Sequence, residues 1–220
     1  MEFKINFEIK GPKTRLNIRK PVFLSGSCFT EHIGNRLREV KFKTIINPNG
    51  ILFNPLSITH SLVDCANNSP VNVNHLFEHN ELWYSWDHHG EFSAATKEEL
   101  MDQITEARKQ ANSILKEADW IFITLGSAWV YELISTNEIV ANCHKVPQAK
   151  FTKRLLSVKE IIAAFEEMMN HELLQNKQFM VSISPVRYSR DGLVENNQRD
   201  RKSTRLNSSH SDRSRMPSSA

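Results

Sequence analysis

Leu24-Ser25-Gly26-Ser27-Cys28-Phe29-Thr30-Glu31-His32-Ile33-Gly34 decides how the chain is read. The apolar run Pro21-Val22-Phe23-Leu24 at its head predicts a buried strand over 21–25. Beyond it, Ile33, Leu37 and Val40 recur at i, i+4 and i+7, the spacing of an amphipathic helix, placed at 30–40. The order is therefore strand, tight turn, helix. In an open α/β sheet, ligands bind where the carboxyl end of a strand feeds a helix N-terminus. Unpaired N–H groups at such a point stabilise an oxyanion or a thiolate. Ser27 and Cys28 occupy this turn and are the candidate nucleophiles. The structural alternative for Cys28 is a small thiol packed behind the helix.

Outward from this turn the pattern repeats. Phe42, Thr44 and Ile46 alternate as a second strand, and Asn47-Pro48-Asn49-Gly50 is a turn. Asn54 with Pro55 opens a helix that runs to Cys65. Residues 66–95 fit no helix. Leu76-Phe77, Leu82-Trp83-Tyr84 and Glu91-Phe92 predict short strands of a hairpin insertion, with Trp83, Tyr84 and Trp86 covering the core. Thr96 caps a long helix whose apolar stripe is Leu100, Ile104, Ala107, Ala111, Ile114 and Leu115. Trp120 to Leu125 is a continuous apolar run, as a central parallel strand requires. Tyr131 to Val140 predicts a hairpin turning at Thr136-Asn137, and Ser157 with Glu160 a capping box. Phe179 to Ser184 predicts the next buried strand, while residues 3–19 alternate weakly as an edge strand or lead-in. Strands alternating with helices imply a parallel sheet with helices on both faces. Three strand ends, Gly26-Ser27-Cys28, Gly126-Ser127 and Ser184-Pro185, then converge on one rim.

Gly26-Ser27-Cys28-Phe29 resembles the signature of the GSCFA-domain family, which is similar to the SGNH/GDSL hydrolases. Asn47 to Pro55, Thr124 to Tyr131, Val140 to Lys145, and Ser184-Pro185-Val186-Arg187 with Arg190 to Leu193 carry the same resemblance in the same order. It covers nearly all of residues 1–199. It implies a three-layer, flavodoxin-like (SGNH-hydrolase-like) α/β fold and hydrolysis or transfer of an acyl group from a small ester or an acylated carbohydrate. Cys28 then matches the nucleophile position, with Ser27 beside it, and Gly50 and Gly126 match the positions of oxyanion-hole groups. The third block of those hydrolases reads Gly-x-Asn-Asp. Here Ala128 stands where the Asn would be, and an alanine side chain donates no hydrogen bond. Asn142, Asn47 or a backbone N–H would have to fill that role. The late Asp-x-x-His block that carries the base in those enzymes does not occur in 1–199, and Tyr188 stands where the resemblance leads one to expect His. The domain is therefore expected to be incomplete at its C-terminus and inactive as it stands, and a binding domain that keeps the pocket without the chemistry is the alternative.

Residues 200–220 resemble a translated sequencing adapter and are set aside from the domain at 1–199 as an artefactual disordered tail. The tail holds five of the 28 Lys/Arg and two of the 25 Asp/Glu, so the body carries 23 of each. The overall excess of +3 is therefore no argument for nucleic-acid binding. No membrane partner is expected either, since the start, Met-Glu-Phe-Lys-Ile-Asn, contains no long apolar run. Three cysteines, Cys28, Cys65 and Cys143, show no metal spacing, and free thiols without a signal peptide suggest the cytoplasm. A small-molecule substrate and no cofactor are expected.

Two further groups invite chemistry. His144, in Asn142-Cys143-His144-Lys145, is a candidate base or orienting group, or else a loop histidine with ordinary hydrogen bonds. Arg187 and Arg190 suit a carboxylate or phosphate on a substrate, or else a solvated turn with Asp191. His88-His89 with Asp87 and Glu91 is not a metal site on this reading, because adjacent residues of a strand point to opposite faces.

Overall fold

The computed structural model describes Gly11 and residues 13–184. In chain order the elements are β1 (Val22–Gly26), α1 (Cys28–Glu39), β2 (Thr44–Ile46), α2 (Pro55–Asn67), β3 (Leu76–His79), β4 (Leu82–Ser85) and β5 (Ser93–Ala94). There follow α3 (Lys97–Glu117), β6 (Trp120–Leu125), β7 (Trp129–Leu133), β8 (Ile139–Val140), β9 (Phe151–Leu155), α4 (Val158–Asn170) and β10 (Gln178–Ile183). The alternating residues expected at 3–9, Pro185, Arg187, Tyr188, Arg190 and the tail at 200–220 lie outside the described residues.

Four strands form a parallel sheet in the order β10-β6-β1-β2. β2 lies on one side of β1 and the later strands on the other. The strand order therefore reverses between β1 and β6, which opens a crevice at their carboxyl ends. Alternation along β1 and β6 divides the core into two layers. Phe23, Ile121, Ile123 and Leu125 pack with Ile58 and Leu62 of α2, Ala111 and Leu115 of α3, and Ile161, Phe165 and Met168 of α4. Val22, Leu24, Trp120 and Phe122 point the other way and meet Ile33 and Leu37 of α1. Helices thus cover both faces, α1 on one and α2, α3 and α4 on the other.

Helix starts follow their capping residues. Asn54 accepts the Ser57 N–H at 2.8 Å with Pro55 in the first helical position. Thr96–Glu99 and Ser157–Glu160 form reciprocal capping boxes. Helix α1 begins at Cys28 rather than residue 30, because the Ser27 carbonyl already accepts the Thr30 N–H at 2.8 Å.

Two small antiparallel sheets flank this frame. The insertion forms β3-β4-β5 and rests Leu76 and Ala94 on Leu100 and Ile104 of α3. Its last strand is Ser93–Ala94, not Glu91-Phe92, because Phe92 N–H closes a turn onto His89 O at 3.0 Å. The hairpin expected at 131–140 is part of a three-stranded sheet, β8-β7-β9, whose strand β9 had no counterpart in the sequence reading.

Candidate functional site

Backbone geometry builds the rim from the turn outward. Gly26 has φ +141°, and a Cβ there would lie 2.2 Å from Thr124 O, so only glycine lets β1 approach β6 this closely. Ser27 N–H then donates to Thr124 O at 3.0 Å. The next loop is pinned to the same point. Asn47 Oδ1 accepts the Gly26 N–H at 2.9 Å, and Leu52 N–H donates to Gly26 O at 3.1 Å. The loop returns across β6, where Phe53 O accepts both the Gly126 and Ser127 N–H groups at 2.9 Å, and Ser184 N–H closes the third strand end onto Leu125 O at 2.7 Å. The three strand ends expected on one rim are adjacent in this way.

The two candidate nucleophiles have opposite surroundings. Ser27 is 1% exposed, and its Oγ is buried without a hydrogen-bond partner. A Cβ on Gly126 would come within 3.3 Å of Ser27 Cβ, so the serine faces inward against β6. Cys28 is exposed and is the first residue of α1. The first amides of a helix have no intrahelical acceptor, so the N–H groups of Cys28 and Phe29 lie at its open end. Burial pushes the Cys65 thiol up to about 12 and the Cys143 thiol up to about 11.

Gly50 and Gly126 are needed for shape. Gly50 has φ +75° and its N–H donates to Asn47 O at 2.8 Å; a Cβ there would collide with His89 Cβ at 2.3 Å. A Cβ on Gly126 would lie 2.8 Å from the Phe53 ring. Both N–H groups are thus engaged by loop carbonyls, which differs from the oxyanion-donor role expected of them. Asn47 is the polar side chain that sequence reasoning placed only as a substitute. It is 8% exposed, and its Nδ2 is a buried donor without a partner beside Gly26. Its place in the Asn47-Gly50 turn was the available signal.

His144 belongs to another cluster. Asn142 Oδ1 accepts the His144 N–H at 2.8 Å and so shapes the loop that carries the ring. His144 Nε2 lies 2.8 Å from Ser85 O, to which the neutral ring donates its proton. The ring centroid is 4.8 Å from that of Tyr84 and 5.5 Å from that of Phe77. Burial pushes this imidazole down to about 4. None of these contacts joins His144 or Asn142 to Cys28; they tie the 142–145 loop to the insertion. His88, with Nδ1 2.8 Å from Ser85 Oγ, is likewise pushed down to about 4 by burial. His75 is the opposite case. Its Nδ1 lies 2.9 Å from Asp87 and its Nε2 3.3 Å from Glu138, and the Asp87 hydrogen bond raises it to about 9. Burial alone would raise the Asp87 carboxyl, but the hydrogen bond and charge of His75 outweigh it and hold it low. Sequence reading missed this pair because its members lie on separate elements.

A cavity of about 600 Å³ opens beside Ser127, lined by Phe53, Trp129, Tyr131, Gln148, Phe151 and Lys153 among others. Among the described residues no group of three or more His, Cys, Asp or Glu is placed to hold a metal ion. No helix there is long and apolar enough to cross a membrane. The GSCFA family model matches residues 21–210, a span that includes the rim, the cavity and residues 200–210. No curated protein and no solved structure matches the chain.

Proposed function

The chain belongs to the GSCFA family, and from that premise we propose that the β1–α1 turn is the nucleophile end of an acyl-transfer site for a small ester or an acylated carbohydrate. Cys28, not Ser27, is the attacking residue. The observation that carries this reading is the contrast in that turn: Cys28 is exposed at the head of α1, while Ser27 is enclosed against β6. Cys28 Sγ bonds to the ester carbonyl carbon, the bond to the alcohol oxygen breaks, and the thiol proton leaves with the alcohol. Water then hydrolyses the thioester and restores the thiol. The Cys28 and Phe29 amides supply donors for the oxyanion. Gly50 and Gly126 contribute close packing instead, and Arg187 is a substrate-binding group.

This reading predicts single-step acylation by p-nitrophenyl acetate, read as released p-nitrophenol, that Cys28→Ala abolishes and Ser27→Ala spares. Acylation unchanged in Cys28→Ala overturns it. The second reading is a binding domain without chemistry. It is favoured by the Gly50, Gly126 and Ser127 amides all donating to backbone carbonyls, with Ala128 in place of a donor. Absence of acylation at Cys28 in the wild-type chain, together with ligand binding, is its signature.

A further inference from the structure

From the amino end of the parallel sheet we infer a docking surface for an anionic lipid bilayer. Charge is not spread evenly along the chain. Residues 13–43 hold eight Lys/Arg against two Glu, whereas the rest of the body up to residue 199 holds 15 against 21. A body that is neutral in sum is therefore basic in one place.

The fold gathers these cations at one end. The turn at 17–20 closes through Lys20 N–H onto Asn17 O at 2.9 Å, directly before β1. The turn after α1 holds Lys41 at φ +70°, closes through Phe42 N–H onto Leu37 O at 2.9 Å, and leads into β2. Because β1 and β2 are parallel, both turns lie at the same end of the sheet, and Val22 N–H joins them by donating to Lys43 O at 2.9 Å. Leu16, Leu37 and Phe42 anchor them on the cluster of Val22, Leu24, Trp120 and Phe122. The cations are left outside: Lys13, Arg15, Arg19, Lys20, Arg38 and Lys41 are exposed and make no ion pair among the described residues. Carboxylates at this end are already engaged. Glu39 meets Arg36 at 2.8 Å, Glu117 meets Lys43 at 3.5 Å, and Asp119 attracts Lys177, which Lys20 repels.

Two apolar tips select the partner. Ile18 is 54% exposed and Val40 58% exposed, and they stand on these same two turns, beside Arg19 and Lys41 in sequence. Against a bilayer the cations meet headgroup phosphates and carboxylates, for about fivefold in affinity per residue. Ile18 and Val40 then enter the boundary between headgroups and acyl chains and leave water. A nucleic-acid backbone would satisfy the charges but leave both tips in water. It would also find no ring to stack on, since Phe42, the aromatic of these turns, is half-buried on the core. The sequence reading expected no membrane partner because it looked for an apolar span; peripheral docking needs none. Cys28 lies at the other end of β1, about 17 Å of strand away. Docking therefore leaves the rim open, and it does not depend on the acyl-transfer reading.

The test is flotation of the full chain with vesicles of phosphatidylcholine alone and of phosphatidylcholine with about one-third phosphatidylserine. The expected result is binding to the anionic vesicles only, weakened about tenfold when salt rises from about 0.15 M to about 0.5 M. Arg19→Gln/Lys20→Gln/Lys41→Gln should weaken it about a hundredfold. Removing as many cations from the tail, in Arg201→Gln/Lys202→Gln/Arg205→Gln, should leave it within about twofold, which separates this surface from a general charge effect. Ile18→Ser/Val40→Ser keeps the charge and should weaken it about tenfold. The substituted positions on the two turns are exposed, and far-UV circular dichroism checks that each variant keeps its fold. Binding to neither vesicle, equal binding to both, or loss of binding in the tail variant instead of the turn variant overturns the inference. So does a DNA duplex held as tightly as the anionic vesicles, with Ile18→Ser/Val40→Ser changing neither.

Discussion

At the scale of single residues, Ser27 and Cys28 differ in exposure: the serine is buried and the cysteine exposed. Both were legible as candidates because a small residue, a hydroxyl and a thiol follow a buried strand. Which of them is accessible was not legible, since it depends on the register of β1 against β6 and on Gly126 coming close enough to enclose the serine. Reactivity of the three thiols follows from the same surroundings. Cys65 and Cys143 are held protonated by burial, up to about 12 and about 11, whereas Cys28 is exposed. Iodoacetamide at pH 8 is therefore expected to label Cys28 first, leaving Cys65 unmodified until the protein unfolds. Peptide mapping reads this directly, and labelling of Cys65 ahead of Cys28 would contradict the assigned burial. His144 shows the limit of sequence reading in the other direction. Its neighbours Asn142 and Lys145 pointed to a functional loop. The ring instead serves the packing of Phe77, Tyr84 and Trp86, which are distant in sequence and so invisible from its own segment.

At the scale of elements, helix starts were legible because they are written locally. Asn54-Pro55, Thr96 and Ser157 cap their helices as their residue types dictate. Thr96 is exposed and far in sequence from the rim, which isolates its contribution. Thr96→Ala is expected to lower unfolding free energy by ~1 kcal/mol, read from urea denaturation, with no change in any ligand binding. Strand β9 was not legible. Phe151-Thr152-Lys153-Arg154-Leu155 shows no alternation, because Thr152 and Lys153 are exposed and Arg154 is held by ion pairs to Glu132 and Glu160 at 2.7 Å. The cavity beside Ser127 was missed with it, since β7 alone does not reveal that a partner strand completes a wall.

At the scale of the molecule, the parallel sheet was legible from alternating apolar runs and helix stripes, and its strand order puts the crevice beside Cys28. The docking of the insertion against β8 was not. His75 joins Asp87 and Glu138, and Ala141 N–H donates to Trp86 O at 2.7 Å. These buried imidazoles give stability a defined pH range. His88 and His144 sit at about 4 against 6.5 unfolded, so they contribute stability above pH 6.5 that is lost as pH falls toward 4. His75 sits at about 9, so its contribution is complete below pH 6.5 and lost as pH rises through 9. The Tm is therefore expected to peak near neutral pH and fall on both sides. His75→Gln should flatten the alkaline side and leave the acid side in place; an unchanged alkaline side would contradict the clamp.

Cys28 is proposed as a nucleophile toward acyl esters. Mass spectrometry of the full-length protein, quenched in acid within seconds of mixing with p-nitrophenyl acetate and then digested, tests it most directly. The expected result is a single acetyl group on the peptide that contains Cys28, removable by hydroxylamine and absent from Cys28→Ala. Acetylation confined to lysines, or to the Ser27 oxygen in a hydroxylamine-resistant ester that persists in Cys28→Ala, would contradict it.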